Sequence, residues 1–162
     1  MRRDLHFEVV YPHPVEKVWA TITDAGALAQ WLMPNNFEPR IGHEFQFRTK
    51  PALGFDGMIH CVVIEVNRPH KLVYSWKGGG VDTVLTWSLQ SVPSGTRLRL
   101  DHTGFRGLRG MFVSTILGKG WGSKILFQIW RRFWTDGAEP GRFPRFRKRI
   151  VIVECSEGEV GI

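Results

Sequence analysis

"VDTVLTWSLQSVPSGTRLRLDHT", residues 81–103, decides the fold. Its first half sets Thr83, Leu85, Trp87 and Leu89 on one side of an extended chain. Pro93-Ser94-Gly95 then turns it. Its second half returns with Leu98, Leu100 and His102 opposite Arg97, Arg99 and Asp101. Two period-2 runs joined by a short turn are an antiparallel hairpin with one apolar face and one charged face. A sheet of that kind needs a single covering layer.

The same pattern extends upstream. "KLVYSW" (71–76) places Leu72, Tyr74 and Trp76 together. "GMIHCVVIEV" (57–66) is rich in β-formers. If Glu65 marks its outer face, Met58, His60, Val62, Ile64 and Val66 point inward and Cys61 outward. "HEFQFRT" (43–49) alternates Phe45 and Phe47 against Glu44, Gln46 and Arg48, and "LHFEVVY" (5–11) puts Phe7, Val9 and Tyr11 on one side. Between these two runs lie two short helices. "PHPVEKVWATIT" (12–23) has Pro14 in its first turn, and "DAGALAQWL" (24–32) has Asp24 as N-cap. The expected architecture is α+β, a curved antiparallel sheet with two short helices after the first strand.

The covering layer must come from the long stretch at roughly 108–134. Projected at 100° per residue from Trp121, the apolar residues up to Trp134 spread over roughly 240° of circumference. An ordinary surface helix buries a far narrower stripe, so the sheet must curl around this one or a second apolar partner must cover it. Gly118, Gly120 and Gly122 each cost the helix roughly 1 kcal/mol relative to Ala, and they permit a bend or a close approach to the sheet. "GKGWGS" lacks the spacing of a phosphate loop or a dinucleotide fingerprint.

Composition narrows the function classes. The chain has 162 residues, seven Trp and a net charge of +7, which suits one domain with a substantial aromatic core or cavity lining. The charge is concentrated: residues 106–149 hold 11 Lys+Arg and 2 Asp+Glu. Within them "RFPRFRKR" (142–149) mixes basic residues with two Phe. Such a surface fits an acidic protein or a membrane surface across 131–149, and without a nucleic-acid motif that partner ranks lower. Two cysteines without metal spacing, no signal core and no uninterrupted apolar span lead to a cytoplasmic expectation. No metal or cofactor is expected.

The order of "PVEKVWATITDAGALAQWL", "FDGMIHCVVIEVNRPHKLVYSW", "VDTVLTWSL", "GTRLRLDHTGF" and "GKGWGSKI" resembles the START/polyketide-cyclase/Bet v-like (SRPBCC) superfamily. It resembles most the branch named after the activator of the heat-shock-protein-90 ATPase. The resemblance covers about residues 5–126. It implies a helix-grip fold, six or seven strands gripping a long C-terminal helix with a hydrophobic cavity between. Residues 1–135 would form this domain and 136–162 a basic C-terminal extension.

On that frame the expected cavity lining is Trp31, Phe45, Phe47, Met58, Tyr74, Trp76, Thr83, Trp87, His102, Trp121 and Ile125, with Trp31 as a gate at its mouth. His102 and His60, both read as inward, are the two side chains suited to acid–base work. No nucleophile elbow, metal set or catalytic dyad accompanies them; Asp101 and His102 point to opposite faces of their strand. The reading favoured by the residues is non-catalytic binding or transport of a hydrophobic small molecule, lipid-like or aromatic. The alternatives are a chaperone-associated module stimulating a heat-shock ATPase, and a cyclase- or hydrolase-type enzyme using a cavity His.

Overall fold

The computed structural model describes residues 2–123, Ile129 and the strand 145–153. In chain order the elements are β1 (Arg2–Tyr11), α1 (Val15–Thr23), α2 (Ala25–Trp31), β2 (Glu44–Arg48), β3 (Met58–Asn67), β4 (Lys71–Gly78), β5 (Val81–Val92), β6 (Gly95–Arg106), α3 (Gly107–Ser123) and β7 (Arg145–Val153). The seven strands form one antiparallel sheet in the order β2-β3-β4-β5-β6-β1-β7. This is the α+β helix-grip architecture, with α3 lying against β1, β5 and β6.

Alternation fixes which face is covered. Phe7, Val9 and Tyr11, Phe45 and Phe47, Leu72, Tyr74 and Trp76, Leu85, Trp87 and Leu89, and Leu98 and Leu100 are all buried in one core. Short turns keep the meander in register. Thr96 Oγ1 donates to the His13 carbonyl at 2.7 Å, holding the β5–β6 turn against the end of β1. Asp24 caps α2 as its sequence position suggests, Oδ1 accepting from the Ala27 N–H at 2.7 Å.

In β3 the expected faces are reversed. Ile59, Cys61 and Val63 are buried, whereas His60, Val62 and Ile64 are exposed and Met58 is half-buried. A register shift between Val63 and Glu65 in the pairing with β4 is the cause. A bulge adds one residue to one strand. A face inferred from Glu65 therefore has the wrong phase for everything before the bulge.

α3 meets the sheet through three small residues and one large ring. Gly110, Ser114, Gly118 and Trp121 are its buried positions. A Cβ on Gly110 would lie 3.0 Å from the backbone of Phe105, so glycine permits the contact. Arg3 reaches across from β1, its guanidinium donating to Ser114 Oγ at 3.3 Å and Thr115 Oγ1 at 3.0 Å. The sequence places the helix at roughly 108–134. Its start agrees, and apart from the buried Ile129 the residues after Ser123 in that range lie outside the described part.

Candidate functional site

The covered face of the sheet is an aromatic wall. β2 supplies Phe45 and Phe47, β4 supplies Tyr74 and Trp76, β5 supplies Trp87, and α3 closes over them with Trp121. Phe45 meets Phe47 at 5.4 Å between ring centroids and Tyr74 at 5.2 Å. Phe47 meets Trp76 at 5.5 Å, and Trp121 lies 5.6 Å from Trp76 and 5.8 Å from Trp87. Tilted and edge-on pairs at these distances suit ring quadrupoles. The rings thus form one continuous buried cluster rather than separate contacts.

One buried polar chain runs through this wall. Trp121 Nε1 donates to His102 Nδ1 at 3.2 Å. An indole nitrogen can only donate, so Nδ1 carries a lone pair and the ring proton sits on Nε2. His102 Nε2 then donates to Thr83 Oγ1 at 2.8 Å. Thr83 in turn donates its hydroxyl proton to the Trp76 carbonyl at 3.1 Å. Every proton in the chain has one assigned direction. Burial opposes the charged imidazolium and brings the His102 pKa down to about 3.

This arrangement limits the chemistry. Both ring nitrogens of His102 are engaged within the protein, and its neutral form persists through the ordinary pH range. It orients Trp121 against β4 and β5 and does not present a base to a substrate. The other histidine expected to point inward, His60, is exposed on the outer face, within 3.4 Å of Gln46. The two histidines do not converge. Among the described residues no three His, Cys, Asp or Glu side chains gather closely enough to hold a metal ion.

Trp31 is not at an open mouth. It is 1% exposed, stands edge-on to Trp87 at 6.0 Å, and donates its indole N–H to the Thr21 carbonyl at 2.9 Å. It anchors α2 to the wall. Met58 sits half-buried at the start of β3, out of the continuous aromatic cluster, and Ile125 lies outside the described residues. Trp87 Nε1 donates to the Tyr74 hydroxyl at 3.1 Å. Burial raises the Tyr74 phenol far above its ordinary range and does the same to the neighbouring Cys61 thiol, so both stay protonated.

Two wall residues escape a reading by periodicity. Phe37 lies in the loop after α2, 5.0 Å from Phe45, and Asn35 accepts its backbone N–H. Phe105 lies tilted against His102, 4.6 Å between ring centroids. The alternation 98, 100, 102 would put Gly104 inward, but Gly104 adopts φ 101° and Phe105 takes the covered face. The glycine in "HTGF" is the one sequence signal for that change of phase.

The family model described as "Activator of Hsp90 ATPase homolog 1-like protein" matches residues 12–123. Among solved structures, protein MLL2253 from Mesorhizobium loti is 29% identical with a TM-score of 0.68, the match covering 75% of this chain and 90% of that one. Protein BH1534 from Bacillus halodurans is 27% identical with a TM-score of 0.64, over 77% of this chain and 94% of the other. CalU16 from Micromonospora echinospora shares the fold at 22% identity and a TM-score of 0.64, over 76% of this chain and 72% of that one. No curated protein matches the chain.

Proposed function

We propose that this chain, which belongs to the Activator of Hsp90 ATPase homolog 1-like family, is a non-catalytic binder of an apolar or aromatic small molecule. The ligand is held between the sheet and α3. The observation that carries this reading is the continuous buried ring cluster of Phe45, Phe47, Tyr74, Trp76, Trp87 and Trp121. An apolar ligand slotting into it gains burial and ring stacking. The indole N–H groups of Trp87 and Trp121 already have acceptors, so such a ligand strips no water from them.

The engaged tautomer of His102 and the outward position of His60 argue against acid–base catalysis, so neither is given a catalytic role here. The test is native mass spectrometry of the purified protein with organic extraction, followed by tryptophan-fluorescence titration with a series of apolar and aromatic compounds. A retained or titratable ligand is expected. Absence of both mass adduct and fluorescence change across the series would remove the reading. The family's description supplies a second one, stimulation of a heat-shock ATPase. An unchanged ATPase rate with the purified chaperone, and no complex on sizing, would dismiss it.

A further inference from the structure

α3 turns Gly110, Ser114, Gly118 and Trp121 to the sheet, with Val113 and Leu117 partly buried against the core. It also leaves Leu108, Phe112 and Ile116 outward, at 91%, 69% and 55% exposure. These three fall at i, i+4 and i+8, so they form one stripe along the helix. Lys119 falls within 20° of Leu108 in the helical projection, which places a cation in line with the stripe. Arg106 and Arg109 are exposed at the N-terminal end, and the Arg109 side chain crosses the β4–β5 turn at Gly80.

The described residues from His102 to Ser123 contain three cations, Arg106, Arg109 and Lys119, and no Asp or Glu. A second copy of the same surface would bring like charges together, so self-association through this stripe is disfavoured. At the end of the sheet beside α3, Gly78 lies against the backbone of Met58, so the β2–β3 loop and the β4–β5 turn leave the sheet together. That loop bears the fully exposed Leu53 and the exposed Asp56, with exposed Arg48 and Lys50 near its base, while Lys77 pairs with Asp82 at 3.1 Å.

We propose that the outer face of α3 docks on an anionic lipid surface. Leu108, Phe112 and Ile116 enter the headgroup–acyl boundary, and Arg106, Arg109 and Lys119 meet the lipid phosphates. Apolar residues along one helical stripe with basic residues beside them are what an interfacial helix requires. No described helix is long and apolar enough to cross a membrane, so the contact is peripheral. The site is independent of any ligand in the interior, since its residues face away from the aromatic wall.

The experiment is vesicle flotation of the full chain with phosphatidylcholine vesicles and with phosphatidylcholine–phosphatidylglycerol vesicles, at low and high salt. Binding to the anionic vesicles alone is expected, weakening with salt. Lys119→Glu lowers the partition coefficient about fivefold or more. Leu108→Ser/Phe112→Ser abolishes flotation while circular dichroism and thermal unfolding stay as in the parent. No flotation overturns the proposal. So does flotation that survives both variants, which would assign the contact to another basic segment such as 142–149. Equal binding to both vesicle types also overturns it, as does a sizing shift showing that the stripe instead joins two copies or captures an added acidic protein in place of lipid.

Discussion

Trp121 donates its indole N–H to Nδ1 of His102 over 3.2 Å, and that bond decides which nitrogen of the buried ring carries the proton. Protonating the ring would turn two N–H groups toward each other in a site without water access. The neutral ring is therefore part of the fold.

Stability falls on acidification through this group. The folded pKa of His102 is about 3, below the ordinary histidine value of about 6.5. Between those values the unfolded chain binds a proton that the folded chain refuses, so stability is fully present above about pH 6.5 and declines toward pH 3. His102→Gln flattens that part of the profile. Urea unfolding across pH 4 to 7 checks the difference, and nitrogen NMR of the imidazole should show no titration of His102 between pH 5 and 8.

Removing either end of the chain leaves a buried group unpaired. Trp121→Phe orphans Nδ1, and Thr83→Val orphans the Nε2 proton. Each should cost about 1–3 kcal/mol. Because both act on the same ring, the double variant should depart from additivity by about 0.5 kcal/mol or more. Chemical denaturation of the four proteins measures this; strict additivity would mean the three side chains do not act as a unit.

The helix–sheet approach predicts opposite signs for two glycines on α3. Gly110 faces the Phe105 backbone, and Gly110→Val should destabilise by about 1–3 kcal/mol through overpacking. Around Gly120 nothing lies within 4 Å of an added Cβ, so Gly120→Ala should stabilise by about 0.5–1 kcal/mol through helix propensity alone. Thermal unfolding of the pair separates packing from propensity.

If the interior takes an apolar ligand, Trp76 is the ring whose loss should matter most, since it touches both Phe47 and Trp121. Trp76→Leu keeps the site apolar but removes stacking. It should weaken a titrated aromatic ligand about three- to tenfold, for pairs worth about 0.5–1.5 kcal/mol. Phe112→Ser, on the opposite side of α3, should leave that affinity unchanged.

Much of this was readable from strict alternation. Thr83, Trp87 and His102 share a face because side chains repeat every second residue, and nothing interrupts β5 or most of β6. The reading failed where the period is broken. The bulge before Glu65 reversed His60 and Cys61, and Gly104 moved Phe105 onto the covered face. Trp31 stands apart for a different reason. Its partner Trp87 comes from a strand more than fifty residues later, and local spacing carries no information on that contact. The exposed stripe of Leu108, Phe112 and Ile116 lies before Trp121, where the helical projection begins, so that projection does not reach it.

The sheet order also sets a timetable. β1 lies between β6 and β7 and pairs with both along nearly its whole length, Tyr11 with Thr96 and Arg2 with Val153. β1 thus has no neighbour from its own half of the described chain. Its backbone N–H and C=O groups wait for the hairpin at 81–106, and the outer row waits for residues 145–153. Until then β1 has one apolar face and two open edges, a state prone to pairing with another chain. Assembly that depends on such distant segments is slow relative to local folding. The rate at which the nascent chain buries β1 should therefore govern how much of it aggregates.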